Sequence, residues 1–265
     1  NNKELGLATL NLKFLEGYSF DLSKSDALFK GEIKSLEFKD YLYTNVLVDG
    51  EMNNGKFDGK IHSTDPNLDF DFIGNFLYGD EGFTVGFDSE IRQIDLQKLN
   101  LSKTPLILKG KLKIDGTGQS LNTFIGTLEG KDVYLQKSDT IYALDDIVMQ
   151  ASNNAEGVKQ IKINNKDLSL SMEGKVDIAK VVNDVKLILH NNLPYYTKSW
   201  NIPDSNRVSN NQDFRFDIDV KSLESFADIL GIKNISIQDF KGKGYLNSSK
   251  NEIQIASTFP FLAIK

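Results

Sequence analysis

Hydrophobic and polar residues alternate along most of this chain of 265 residues. A period of two places successive side chains on opposite faces of a β-strand, which predicts half-buried strands in an antiparallel sheet. The intervening positions are polar and are expected to face solvent. In one such segment, Arg215, Asp217 and Asp219 fall between the apolar residues. The clearest alternating segments are 18–22, 68–76, 83–87, 106–114, 168–176, 214–220 and 253–259. Turn-forming sequences are found at 49–50, 53–55, 79–82, 115–116 and 247–249. Strands recurring roughly every 10–15 residues predict an extended all-β meander.

A short motif, apolar–any–Gly–any–apolar, recurs along these predicted strands. Its glycines are Gly31, Gly59, Gly74, Gly110, Gly126 and Gly174. Each glycine falls on the same strand face as the apolar residues around it. Glycine weakens a strand and usually marks a bend, a bulge or a close approach. A sheet notched along its apolar face can curl over that face. An elongated, curled, mostly antiparallel sheet is therefore open beside the β-sandwich that composition alone favours.

Helical signals are few, so we expect one or two short helices. Residues 178–189 have helical apolar spacing after Asp177, although 185–189 also fits a strand. A shorter helix is predicted over 223–230, with Ser222 before it and Gly231 after it. Residues 191–212 carry Pro, Asn, Ser and the only Trp, which indicates a loop or a seam. The predicted organisation is a sheet segment over 1–190, this seam, and a continuation of the sheet over 213–265.

Composition removes several classes of function. The chain has no cysteine, which excludes disulfides, thiolate metal sites and cysteine nucleophiles. A net charge of −6 argues against binding to nucleic acid. The two histidines, His62 and His190, are distant in sequence and offer little material for a zinc site or a Ser-His-Asp triad. His62 is expected to face solvent. We therefore expect no metal or cofactor, while paired carboxylates for glycoside hydrolysis stay open at this point because their spacing is spatial.

Two acidic segments were weighed as cation sites. Residues 65–69 begin like a calcium loop, but the glycine and glutamate required at its sixth and twelfth positions are Phe70 and Phe76 here. Residues 65–67 are therefore predicted to be a turn before a strand. Asp217 and Asp219 share a strand face, and a solvated sheet surface is the favoured interpretation of that pair.

Several segments resemble the TamB and AsmA-like family, the translocation and assembly module, and particularly its Bacteroidota members. The resemblance is strongest in residues 57–74, FDGKIHSTDPNLDFDFIG. Residues 36–50 and 88–101 resemble segments of the same family, and residues 216–261 are similar to a second copy of its repeating unit. The resemblance covers most of the chain, and it rests on the recurring glycine motif together with Asp-Pro-Asn-Leu.

The resemblance implies a β-taco, an elongated periplasmic sheet folded into a trough with an apolar interior. It also implies a non-enzymatic role in intermembrane phospholipid transport that supports outer-membrane biogenesis. The expected partners are phospholipid and an Omp85-type outer-membrane barrel protein, the latter through regions outside this chain. The chain would then be an internal fragment of an inner-membrane-anchored protein that spans the periplasm to the outer membrane. The family has no catalytic residues to carry over.

The alternation places a set of apolar side chains on one face of the strands, and the resemblance implies that this face is open. Together they predict a continuous apolar surface that binds lipid acyl chains, here called the lane. Its lining residues are predicted to be Phe29, Ile33, Phe57, Ile61, Leu68, Phe70, Phe72, Phe76, Phe83, Val85, Phe87, Leu108, Leu112, Phe124, Leu128, Leu170 and Met172.

The alternative from another class is a closed β-sandwich that serves as a cell-surface adhesion or carbohydrate-binding module. Such a module would bury these phenylalanines between two sheets. It would bind through loops around Tyr195, Tyr196 and Trp200. A β-rich hydrolase is a third and least favoured interpretation.

Overall fold

A computed structural model describes residues 5–17, 27–79, 82–200, 212–222, 224–230, 232, 235–258 and 261–264. The predicted strand at 18–22 lies outside these residues. The chain divides into two compact units. The first unit comprises Asn1–Gln119 and Thr127–Asp146, and the second comprises Ser120–Gly126 and Ile147–Lys265. The predicted seam over 191–212 lies inside the second unit.

Antiparallel β-strands dominate both units, as the alternation predicted. The strands are β1 (Leu5–Gly17), β2 (Ala27–Phe38), β3 (Tyr41–Asn53), β4 (Lys56–Asp65), β5 (Leu68–Gly79), β6 (Gly82–Asp95), β7 (Leu106–Gly118), β8 (Ile125–Lys137), β9 (Thr140–Asn153), β10 (Lys159–Asn165), β11 (Leu168–Lys175), β12 (Asp213–Ser222), β13 (Ile235–Asn247), β14 (Glu252–Thr258) and β15 (Phe261–Ile264). The described helices are α1 (Val181–Asn192), α2 (Pro194–Thr197) and α3 (Glu224–Ile229), with single 3-10 turns at Leu121–Thr123 and Ser248–Lys250.

In the first unit, strands β1 to β7 lie in chain order, and each pairs antiparallel with the next. Two-residue turns join three of these pairs: Lys39-Asp40, Asn54-Gly55 and Pro66-Asn67 each connect strands whose registers reach the turn. The turn predicted over 65–67 is therefore confirmed. The turns predicted at 49–50 and 115–116 are wrong, because these residues lie within β3 and β7.

In the second unit, the last part of β9 and strands β10 to β14 also lie in chain order, and β15 pairs with β13. Helix α1 packs over this sheet. Ile188 of α1 is fully buried in a cluster with Ile161, Met172 and Phe214. The amide of Gln212 donates to the buried Asp184 carboxylate at 2.7 Å and thereby ties the helix to the start of β12.

The two sequence-predicted helices are confirmed in position. Residues 185–189 belong to α1 and not to a strand, because their apolar side has a sheet to pack against. Asp177 lies before this helix and its backbone carbonyl accepts hydrogen bonds from Lys180 and Val181. Helix α3 occupies 224–229 of the predicted 223–230.

The predicted curl is not observed, because within each unit the sheet is open and uncurled. Several strand glycines instead make room for groups of neighbouring strands. A Cβ built on Gly50 or Gly59 would lie 2.8 Å or 3.0 Å from ring atoms of Phe57. In the second unit, a Cβ on Gly244 would lie 2.5 Å from the ring of Phe216. These three glycines therefore give an aromatic ring room to lie on the strands. At Gly74, Gly110 and Gly174 a Cβ would instead meet the backbone of the neighbouring strand, at φ values of +150°, +139° and +137°.

Candidate apolar binding surface

The strand registers of the first unit place most of the predicted lane on one side of the sheet, here called the apolar face. One cross-strand row runs from Ile61 through Phe72 and Ser89 to Leu112. A neighbouring row runs through Phe57, Phe76 and Val85. Between these rows, Gly59 and Gly74 face each other and lead to Phe87. The apolar face therefore extends continuously across at least four strands.

Four phenylalanines form a connected cluster at the centre of the apolar face. The ring centroids of Phe57 and Phe76 are 5.1 Å apart, and those of Phe72 and Phe87 are 4.9 Å apart. Phe57 and Phe72 join the two pairs at 6.3 Å. These distances lie in the range where aromatic pairs attract each other beyond simple area burial. Phe57 is 2% exposed, whereas Phe76 is 37% exposed.

The core cluster of the first unit is built from strands alone. Val46, Val48 and Phe57 are its buried members, and Ile33, Met52, Ile61 and Phe72 pack against them. All of these residues lie on β2 to β5, and no described helix contributes a side chain to the cluster. The described strands also provide no second sheet that packs face to face on them. Among the described residues of the first unit, no helix or second sheet therefore covers the centre of the apolar face.

One end of the apolar face is closed by the loop over 96–105. Leu99 of this loop is buried. The Asn100 side chain donates to the Lys39 carbonyl, in the β2–β3 turn, at 2.9 Å. The loop follows β6, so it crosses the ends of β3 to β5 to reach that turn.

A buried carboxylate lies at the same end. The hydroxyls of Tyr41 and Thr44 donate to Asp65 at 2.6 Å and 3.0 Å, and the Thr44 backbone N–H donates at 2.9 Å. The Asn67 backbone N–H also donates to Asp65, at 2.9 Å, and closes the turn. Burial, with the nearby Asp65 carboxylate, raises the pKa of Tyr41 and of Tyr43, so both phenols stay neutral near pH 7. The apolar face therefore ends in a fully hydrogen-bonded polar cluster.

The opposite side of the same strands is the polar face, and it carries charge pairs. Asp71 lies 2.6 Å from Nδ1 of His62 and accepts from Nη1 of Arg92 at 2.5 Å, while Nε of Arg92 donates to Asp69 at 2.6 Å. The hydrogen bond from Arg92, followed by that from His62, lowers the pKa of Asp71. His62 faces solvent, as predicted. Side chains of this face from β4 to β8, Lys60, Glu90 and Lys131 among them, line a shallow groove of about 710 Å³.

The placement of the predicted lining residues differs along the chain. By register, Phe29, Ile33, Phe57, Ile61, Leu68, Phe70, Phe72, Phe76, Phe83, Val85, Phe87, Leu108 and Leu112 all map to the apolar face. The side chain of Phe29 lies outside the described residues. Leu128 is half-buried on β8 of the first unit, and Phe124 precedes that strand in the second unit.

Two predicted lining residues lie on β11 of the second unit. Met172 belongs to the core covered by α1, and Leu170 packs against that core. The structure does not bring either of them to an open surface.

The list of predicted lining residues omitted several side chains on the same face. Val48 pairs with Ile61, Met52 pairs with Phe57, and Ile114 pairs with Phe87. Part of the signal was available for β3, since positions 46, 48 and 52 are apolar at even spacing, although Leu47 between them weakens the alternation. The turn wrongly assigned at 49–50 interrupted that pattern.

Tyr195 and Tyr196 lie on α2 and are 74% and 49% exposed, whereas Trp200 is 8% exposed.

The described residues contain no group of three His, Asp or Glu side chains placed to hold a metal ion. Among the described helices, none combines the length and apolar character needed to cross a bilayer. No family model, curated protein or solved structure matches the chain.

Proposed function

We propose that the apolar face of the first unit binds the acyl chains of phospholipids. The chain would then act without catalysis, as a segment of a lipid conduit between membranes. One observation carries this proposal: an aromatic cluster spanning three strands has no helix or second sheet over it among the described residues. Uncovered apolar surface of this continuity is typical of an interaction site.

The chemistry of the face suits an acyl chain better than a polar ligand. Removing each CH₂ group from water contributes about 0.8 kcal/mol. Phe72, Phe76 and Phe87 offer ring surfaces for such contact, and Gly59 and Gly74 keep side chains from rising between them. The polar cluster around Asp65 and the loop over 96–105 limit the apolar surface at one end. A lipid headgroup would remain at the solvated margin.

The wider setting is proposed from the sequence resemblance to the TamB and AsmA-like family. It would place the chain in the periplasm, within an inner-membrane-anchored protein that supports outer-membrane biogenesis. An Omp85-type barrel protein would act through regions outside this chain.

The test is native mass spectrometry of the purified chain, combined with lipid extraction from the same sample. The wild-type chain is expected to retain phospholipid in the protein peak. Changing Phe72→Asp together with Phe87→Asp places two charges on the apolar face and should abolish that retention.

The matched control is Ile73→Asp on the same strand. Ile73 is 52% exposed on the polar face, so this variant adds a charge where solvent already reaches and should retain lipid. Circular dichroism should show that all variants keep their strand content. A lipid-free wild-type chain that also takes up no added phospholipid would contradict the proposal.

A further inference from the structure

The turn between α1 and α2 presents a small apolar projection, defined here as residues 193–198. Leu193, Tyr195 and Tyr196 are 47%, 74% and 49% exposed, which is unusual for neighbouring large side chains. The two tyrosine rings are 5.5 Å apart and perpendicular. The Lys198 ammonium lies 5.0 Å from the Tyr195 ring centroid. The projection thus combines apolar area, two phenol groups and a cation.

The projection is held firmly on the second unit. The buried Thr197 hydroxyl donates to the Leu193 carbonyl at 2.9 Å and lies 2.9 Å from Nδ1 of His190. The Trp200 backbone N–H donates to the Thr197 carbonyl at 3.0 Å, and the Trp200 side chain is buried. The inward residues therefore fix the turn, while the tyrosines point outward at little conformational cost on binding.

The sequence around the projection lacks carboxylates. Residues 185–203 contain no Asp or Glu, although the whole chain has 37 acidic residues and a net charge of −6. The exposed Lys198 lies within this stretch, beside the Tyr195 ring. Asn251, which accepts hydrogen bonds from Asn191 and Asn192, is flanked by Lys250 and Glu252, so the neighbouring segment adds no net charge. The exposed tyrosines are therefore accompanied by a lysine in a stretch without acidic residues.

We propose that the 193–198 projection docks on the surface of a bilayer that contains anionic phospholipid. Tyrosine is favoured at the membrane interface, because its ring enters the apolar boundary while its hydroxyl stays hydrated. A lysine beside it attracts anionic headgroups. Trp200, the largest flat ring near the projection, is 8% exposed and so offers little surface on which a sugar ring could stack. This surface belongs to the second unit, whereas the apolar face belongs to the first.

The experiment is co-sedimentation of the chain with sucrose-loaded vesicles. One set is phosphatidylcholine alone, and the other contains about 30% phosphatidylglycerol, to supply the negative surface potential. We expect binding to the anionic vesicles to be several-fold tighter and to weaken as salt is raised. Tyr195→Ser with Tyr196→Ser should weaken binding to both vesicles about tenfold. Lys198→Gln should weaken binding to the anionic vesicles alone, about fivefold.

The matched control is Tyr134→Ser, since Tyr134 is an exposed tyrosine on β8 of the first unit. It should bind vesicles like the wild type. Emission from Trp200, the only tryptophan, checks that each variant keeps its fold around the projection. The variant with Phe72→Asp and Phe87→Asp should still dock, so loss of lipid retention and loss of docking are separable.

The proposal is overturned if the wild-type chain binds neither vesicle, or if the double tyrosine variant binds as tightly as the wild type. A chain that ignores vesicles but is retained on a carbohydrate array through Tyr195 and Tyr196 would also overturn it, in favour of a sugar-binding surface.

Discussion

The same sequence motif has two different environments in the two units. In β4 of the first unit it is Phe57-x-Gly59-x-Ile61, and in β11 of the second it begins at Met172-x-Gly174. Ile61 lies on a face over which no described helix packs. Met172 is buried in the cluster that includes Ile188 of α1. The motif therefore encodes an apolar strand face with a glycine notch, and it does not encode what covers that face.

The difference explains how each unit obtains a core. The second unit follows the usual solution for a single sheet, in which a helix buries the apolar face. The first unit buries Phe57 by laying its ring over two glycines, so one sheet partly covers itself. That device leaves Phe72, Phe76 and Phe87 partly accessible, which is what a ligand-binding face requires.

The largest effect should follow from disrupting the cover in the second unit. Ile188 is 0% exposed, so Ile188→Asp would bury an unpaired charge, a change that costs several kcal/mol. We expect β10 to β12 to lose protection in hydrogen exchange while β3 to β6 keep theirs. Ile73→Asp in the first unit, at a side chain that is 52% exposed, should leave protection in both units intact. Unchanged protection of β10 to β12 in the Ile188→Asp variant would show that α1 is not an essential cover.

The next effect separates the buried from the accessible phenylalanines of the apolar face. Phe57→Ala should lower the free energy of unfolding by about 3 kcal/mol, because a fully buried ring is lost above Gly50 and Gly59. Phe76→Ala should cost about 1 kcal/mol, because this ring is already partly in water. Urea unfolding measures both values. Equal costs would mean that the apolar face is uniformly covered.

The smallest effect concerns the polar faces, where the two units are alike. Arg92 pairs with Asp69 and Asp71 in the first unit, and Lys243 pairs with Asp217 at 2.8 Å in the second. These pairs are exposed, so Arg92→Gln should cost less than about 1 kcal/mol in urea unfolding near pH 7, and Lys243→Gln should leave the unfolding midpoint almost unchanged. A clearly larger cost in one unit would show that the units differ on both faces.

The Arg92 variant also carries a pH dependence with a defined sign. Because the pKa of Asp71 is lowered in the folded chain, the stabilisation from Arg92 is fully present above about pH 4 and is lost as the pH falls further. The stability difference between the wild type and Arg92→Gln should therefore shrink on the acid side. A difference that grows with acid would contradict the assignment of this ion pair.

Local patterns predicted the strands and both helices because period-two and helical spacing are properties of the chain itself. Residues 68–76 and 214–220 alternate, and each forms a strand paired on both sides. The cover of Met172 was not predicted, because it depends on which sheet face α1 meets after folding. The role of Gly50 was missed for a similar reason, since the ring that fills its notch comes from the next strand. Burial of Leu99 depends on a loop that reaches Lys39, 61 residues away from Asn100.

The most direct test of the central claim is site-specific photocrosslinking with a photoreactive phenylalanine placed on opposite faces of one strand. Position 72 or 76 points to the apolar face of β5, and position 73 points to the polar face. After irradiation in cells or with added phospholipid, mass spectrometry should find phospholipid adducts at 72 and 76 and none at 73. Adducts at equal yield on both faces, or none at 72 and 76, would contradict the account.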